Sequence, residues 1–333
     1  MLKNVKKSLM LSILVIIISL QLSIIPATAK SDKVIIGGEA FGIKLYCKGV
    51  MITHFQSFAS KDKKICPAKM SGLRINDIIL KADNRVIKSN EQLEEFIKKS
   101  KGKTITFQIA RNNKKQNIKI RPQQNEKNNY YIGVWVRDSC AGIGTISYYS
   151  ADNKKYGALG HGICDIDTGG LFPNGKGEIL QAKISGITKS KNNKIGTLNG
   201  YFTSSTIGNI KENSINGVHG TLYKRINKNK KYKIGKISDI ETGKAEVIST
   251  INGTKPKKYK ISIIGICNKN NNSNKNFIIK VNDKELLNKT GGIVQGMSGS
   301  PIIQKNKFVG VLTHVFLEDC RKGYGMYSEN IIK

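Results

Sequence analysis

From about residue 34 to the C-terminus, apolar and polar positions alternate in short runs separated by glycine and asparagine. Examples are YYIGVWV (130–136), AGIGTISYYS (141–150), YGALGHGI (156–163), KAEVIST (244–250), KYKISIIGI (258–266), NFIIKV (276–281) and FVGVLTHVF (308–316). A period of two bounded by turn formers predicts β-strands. One internal stretch breaks that period. Leu93, Phe96 and Ile97 recur at helical spacing behind Ser89-Asn90, which predicts a capped helix over about 90–99. The first 29 residues differ again. Lys3, Lys6 and Lys7 precede an apolar run from about Leu9 to Ile25, followed by Pro26 and Ala27-Thr28-Ala29. A charged start, an apolar centre and a small-x-small site form an export signal. The run is also near the lower length limit for a membrane span, so it serves as signal peptide or as anchor. The charge placement puts the rest of the chain outside the cytoplasm. The expected architecture is therefore mainly β: a signal or anchor at 1–29, a first unit at 34–122, and an all-β barrel or sandwich at 125–333.

A length of 333 residues allows two domains of ordinary size. The net charge of +33 changes this picture little. The lysines are scattered singly or in pairs such as Lys154-Lys155 and Lys257-Lys258, and no aromatic-interleaved basic motif appears. No nucleic-acid partner is expected. A basic face does suit anionic lipid headgroups, and a polyanion- or lipid-surface binder is one alternative reading. The six cysteines (47, 66, 140, 164, 267, 320) are an even set in an exported chain, which permits disulfides. There is no CxxC pair and no zinc-ligand spacing, so neither a metal nor an organic cofactor is implied.

The first unit reads as strand, glycine-rich loop, two strands, the turn at Asp83-Asn84, the helix and two closing strands. It resembles a PDZ domain. The resemblance rests on Gly37-Gly38-Glu39-Ala40-Phe41-Gly42 followed by Ile43-Lys44-Leu45, on Gly72-Leu73-x-x-Asn76-Asp77-x-Ile79, and on the helix at 90–99. The loop departs from the usual Gly-Leu-Gly-Phe form. The resemblance implies a groove between an edge strand and the helix that takes a peptide or chain terminus, with Phe41, Gly42 and Ile43 as its binding loop.

The second unit holds residues that carry chemistry. GGIVQGMSGSPIIQ (291–304) sets Ser298 in a tight glycine frame, and GALGHGICDIDTG (157–169) holds His161 between glycines. A serine hydroxyl needs an imidazole to take its proton and a carboxylate to fix the imidazole's tautomer. Asp283, in VNDKELLNKTGG (281–292), is one candidate acid, and Asp165 and Asp167 are rivals. The N–H groups of Gly296 and Ser298 converge on one point if the turn is tight, forming an oxyanion hole. Ser300 is a rival nucleophile and His219 a rival base; His54 reads as structural. Thr313 and His314, on the strand after the serine hairpin, are expected to border a substrate pocket.

These segments resemble the nucleophile region of chymotrypsin-like serine peptidases, and more closely the SpoIVB peptidase family. The similarity is carried by GALGHGICDIDTG, VNDKELLNKTGGIVQGMSGSPIIQ, VGVLTHVF and GYGMY, behind a hydrophobic N-terminus and a PDZ-like unit in the same order. The resemblance implies a chymotrypsin-like β-barrel fold with His161 as base, Asp283 as orienting acid and Ser298 as nucleophile. It implies a serine endopeptidase of endospore formation, exported from the forespore into the space between the two membranes. There such an enzyme cleaves itself and a membrane-bound regulator of an intramembrane protease, allowing sigma-K activation. A catalytically silent adaptor working through its PDZ groove is the other alternative.

Overall fold

The computed structural model describes residues 31–333 except 62, 174, 192, 229 and 268–273. The expected signal or anchor at 1–29 lies outside the described residues. Among the described residues, no helix is long and apolar enough to cross a membrane.

Twelve of the strands close into two barrels. The first uses β2 (Ala40–Phe55), β6 (Val134–Ser150), β7 (Lys155–Ala158), β8 (Lys176–Thr188), β9 (Thr197–Ser214) and β10 (Gly217–Leu222); β1 is Lys33–Ile36, and β3 to β5 lie between β2 and β6 in the chain. The pairing runs β2–β8–β9–β10–β7–β6 and back to β2. The second barrel uses β11 (Gly243–Ser249), β12 (Lys257–Ile266), β13 (Phe277–Val281), β14 (Pro301–Gln304), β15 (Lys307–Val315) and β16 (Lys322–Tyr327). It closes in the order β11–β12–β13–β16–β15–β14–β11. Each ring thus returns to its first strand, although β6 meets β7 only from Ile146 on and its opposite edge before that residue is unpaired among the described residues.

The alternation seen in the sequence fills both interiors. Phe41, Ile43, Leu45, Tyr156, Ile179 and Val218 pack the first barrel. Val247, Ile261, Phe277, Ile279, Val309 and Tyr327 pack the second. Val34, Ile36, Tyr148, Phe308 and Met326 form a further cluster between them. At roughly 25 cal/mol per Å² of apolar area, fully burying one such side chain contributes about 2 kcal/mol. One Phe277→Asp change in the second core therefore costs that term plus the cost of an unpaired buried charge.

The PDZ unit is inserted into the first barrel. It is built on the second half of β2, on β3 (Ile78–Ala82), β4 (Ile105–Arg111), β5 (Lys114–Ile120), helix α1 (Asn90–Lys99) and the start of β6. Ser89 caps α1 by accepting from the Gln92 N–H at 3.3 Å, as its sequence predicts. Leu93 and Ile97 turn into a core with Val50, Ile52, Ile79, Phe107 and Ile109. The motif residue Asp77 is buried and accepts from Arg111 at 2.7 and 2.6 Å and from the Arg74 N–H at 2.8 Å, which offsets the cost of burying its charge.

This arrangement corrects the expected unit at 34–122. Residues 40–46 belong to the first barrel, because β6 pairs one edge of that stretch and β8 the other. The same fact removes Phe41, Gly42 and Ile43 from any peptide-binding loop. Phe41 is wholly buried in the barrel core, and a strand paired on both edges cannot accept a third.

Candidate active site

The two barrels meet where β7 ends and β14 begins. His161 follows β7 through Leu159 and Gly160, both with positive φ (+71° and +72°). Left-handed backbone at a non-glycine residue is strain held by its surroundings. A Cβ on Gly160 would lie 2.7 Å from Val311 and 2.9 Å from Thr313 of β15, so only glycine lets this turn press on the second barrel. Gly299 is the counterpart from the other side. Its φ is +93°, and a Cβ there would lie 2.3 Å from the Thr145 carbonyl oxygen of β6. Thr145 then holds the serine turn: its N–H donates to the Ser298 carbonyl at 3.1 Å, and its Oγ1 donates to the Gly296 carbonyl at 2.8 Å.

One open cleft of about 740 Å³ is lined by His161, Gly296, Ser298, Thr313 and His314 together with Ile43, Gly142 and Ile143. Five residues singled out by sequence are thereby brought together. Neither the Gly296 nor the Ser298 N–H has an acceptor among the described residues, while the neighbouring Met297, Gly299 and Ser300 amides are all bonded. Two unpaired donors flanking a serine on a tight turn are the geometry that holds a developing oxyanion. Ser298 Oγ donates to the Thr313 carbonyl at 2.9 Å, so its hydroxyl is parked on β15 and not on the imidazole.

His161 Nδ1 lies 2.9 Å from the Gly162 carbonyl. A carbonyl only accepts, so this nitrogen carries the proton and Nε2 keeps its lone pair. Burial holds the His161 pKa below its ordinary 6.5, with the Gly162 carbonyl acting in the opposite direction. The imidazole is neutral at pH 7 and able to take a proton. The His314 ring stands 5.5 Å from that of His161, centre to centre. Burial, then the neighbouring His161 and Lys275, push the His314 pKa down to about 4. Two neutral rings therefore share the cleft.

Asp283 is not brought to His161. It is the N-cap of helix α2 (Lys284–Thr290): Oδ1 accepts from the Leu286 N–H at 3.0 Å and Oδ2 from the Lys260 N–H at 3.2 Å. A carboxylate spent on two backbone amides at a helix start is a structural cap. The rivals are also committed. Asp165 is buried, accepts from the Asp167 and Thr168 amides, and meets Arg137 Nε at 2.6 Å; Asp167 pairs with the same guanidinium. In the acid's usual place this structure has the Gly162 carbonyl. Ser300 is fully buried, bonded to Ser249 Oγ (3.0 Å) and the Met297 carbonyl (2.6 Å), and His219 Nε2 is bonded to the Ile331 carbonyl. All six cysteines are free thiols.

The PDZ groove lies elsewhere than the glycine loop suggested. A cavity of about 610 Å³ runs between α1 (Asn90, Leu93, Ile97) and residues 131–136 at the start of β6. The N–H groups of Ile132 and Gly133 have no acceptor among the described residues. The signal was present in YYIGVWV as aliphatics around a single glycine. Strand alternation hid it, because the same letters also spell a plain β-strand.

Residues 128–332 match the family model of the SpoIVB peptidase S55, and residues 59–121 match that of the PDZ domain. Among solved structures, the chain is similar to the PDZ domain of an SdrC-like protein from Listeria monocytogenes, with 22% identity over 27% of this chain and 87% of that one (TM-score 0.22). It is also similar to the active form of the Rv3671c protease from M. tuberculosis, with 11% identity over 58% of this chain and 71% of that one (TM-score 0.34). No curated protein gives a match. The peptidase match spans more than half of the chain, which thus belongs to the SpoIVB peptidase S55 family and is a serine peptidase carrying a PDZ domain.

Proposed function

We propose that the protein is an endopeptidase in which Ser298 is the nucleophile and His161 the general base. The observation that carries this is the Ser298 turn, with its two unpaired amides, opening into the same cleft as a neutral His161. In this reading Ser298 Oγ leaves the Thr313 carbonyl and gives its proton to His161 Nε2 as it attacks a peptide carbonyl. The oxyanion accepts from the Gly296 and Ser298 N–H groups, each contributing roughly 3–4 kcal/mol to the transition state. His161 then passes the proton to the leaving amine, and water repeats the sequence on the acyl-enzyme. Gly162 holds the tautomer through its carbonyl, a weaker orienter than a carboxylate because it carries no full charge.

The biological setting belongs to the same proposal. Family membership and the charged, apolar N-terminal sequence support an exported enzyme of sporulation, anchored in the membrane or released into the space between the forespore and mother-cell membranes. Its substrates are itself and a membrane-bound regulator of an intramembrane protease, with sigma-K activation as the outcome. The PDZ groove takes a peptide or chain terminus. The test is intact mass and N-terminal sequencing of the full chain as wild type and as Ser298→Ala, alone and mixed with the regulator. Fragments in the wild type and none in Ser298→Ala are expected. The same fragments in both would refute Ser298 as nucleophile.

A further inference from the structure

One edge of β6 leads from the PDZ groove to Ser298. β2 pairs with β6 along residues 134–145, and on the opposite edge β7 begins only at Ile146. Thr145 shows which backbone groups face that opposite edge, since its N–H donates to Ser298 and its carbonyl accepts from Leu159. The register with β2 is unbroken from Ser139 to Thr145. With a period of two, the N–H and C=O of Ser139, Ala141 and Ile143 point the same way as those of Thr145. No strand among the described residues pairs with them. Three cavities follow one another along this edge: the groove beside residues 133–136, a second of about 480 Å³ beside Arg137 and residues 139–142, and the Ser298 cleft beside Gly142 and Ile143. Two further features of the groove await a ligand. They are the pair of unpaired Ile132 and Gly133 amides and, further along the groove where the Asn90 N–H meets Asp138, the buried and unpartnered Asn90 Oδ1.

We propose that one extended substrate polypeptide lies along this edge as an added strand, held at both ends. Its C-terminal carboxylate sits on the Ile132 and Gly133 amides, its body pairs with Ser139, Ala141 and Ile143, and its scissile carbonyl reaches Ser298. The unpaired amides set the direction. A carboxylate accepts two N–H donors without offering one, so the chain ends at residue 132–133 and runs antiparallel to β6 toward Ser298. The continuity of the edge with the Ser298 cleft argues for substrate as the occupant. The distance from Gly133 to Ile143 is roughly 30 Å at about 3.3 Å per residue, so cleavage falls about ten residues before the C-terminus. This rests on the peptidase reading above and adds to it a rule of length.

The probe is a mixture of unstructured 20-residue peptides of randomised sequence with free C-terminal carboxylates, and the same mixture amidated. Cut positions are read by mass spectrometry with the full-length protein. Cuts clustered about ten residues from the free C-terminus, and scattered in the amidated set, are expected. Cuts scattered in both sets would overturn the track while leaving the peptidase reading intact. A second measurement does not need turnover. Amide hydrogen exchange of Ser298→Ala with the carboxylate mixture should show protection of Ser139, Ala141 and Ile143. Protection confined to 133–136, or absent, overturns the track whether or not the wild type cleaves.

Discussion

Asp283→Ala separates two roles that predict different numbers. The structure gives Asp283 two backbone hydrogen bonds, from Leu286 at the first turn of α2 and from Lys260 on β12. Losing an N-cap costs about 1 kcal/mol, and losing a second charge-assisted bond to a half-exposed carboxylate costs about another 0.5–1 kcal/mol. The expected loss is thus about 1.5–2 kcal/mol of unfolding free energy. Set against a typical ~5–15 kcal/mol for a domain, that leaves the variant folded at 25 °C. Nothing in the cap reaches His161, whose Nδ1 is on the Gly162 carbonyl, so kcat/KM should stay within about threefold of wild type. A triad acid behaves otherwise: its loss lowers kcat by about 10⁴, or ~5.5 kcal/mol at ~1.4 kcal/mol per tenfold. The assay is a urea titration beside steady-state cleavage of one peptide, both for wild type and Asp283→Ala. A fall in kcat approaching 10⁴ with little change in the urea midpoint would refute the cap assignment. It would mean that α2 rearranges to deliver Asp283 when substrate binds.

Three further outcomes follow from the site. Neutral His161 is the active form and burial lowers its pKa, so kcat/KM should hold through pH 6.5 and fall only at lower pH; an acid limb at or above pH 7 would contradict this. His314 titrates at about 4 in the folded state against 6.5 when unfolded, so the unfolded state binds more protons between these values. Stability should decline as pH falls from 6.5 toward 4, and His314→Gln should flatten that slope in urea titrations; an unchanged slope would remove His314 as its source. Gly299→Ala sets a Cβ 2.3 Å from the Thr145 carbonyl at φ +93° and should cost about 2–4 kcal/mol while shifting the Ser298 turn. Thermal melting and kcat should both drop, and an unchanged melting temperature would show that the two barrels are not pressed together there.

The sequence disclosed what depends on local pattern. Alternation gave the strands, Ser89 and the spacing of Leu93 and Ile97 gave α1, and the glycine frames gave the cleft that gathers His161, Gly296, Ser298, Thr313 and His314. It misled where one local pattern serves two structures. Gly37–Gly42 reads as a binding loop, yet its following strand is paired on both edges, and pairing on the second edge comes from β8, more than 130 residues away. Asp283 illustrates the same limit. An aspartate before Lys284-Glu285-Leu286 is equally a helix cap and a candidate acid, and only the three-dimensional course of α2 decides. The insertion of the PDZ unit was illegible because β2 and β6 are each long enough to serve two domains, and strand length carries no mark of where one domain ends.

Shared strands bear on how such a peptidase selects substrates. The cleft at Ser298 is open, and among the described residues no charged side chain lines it to choose a residue beside the scissile bond. A PDZ domain on a flexible linker would raise the local concentration of a captured chain without fixing where it is cut. Here the groove wall at 134–136 and Thr145, which holds the Ser298 turn, belong to one strand. The distance between capture and cleavage is then a count of β6 residues, and backbone pairing along the edge is indifferent to side chains. Selection by reach from a chain end suits an enzyme whose cleft offers few side-chain contacts. Both register shifts between β6 and β2, at 135/136 and 137/139, take up their extra residues in β2 and fall between the two ends, not at Ser139–Thr145, where register with the nucleophile must be kept.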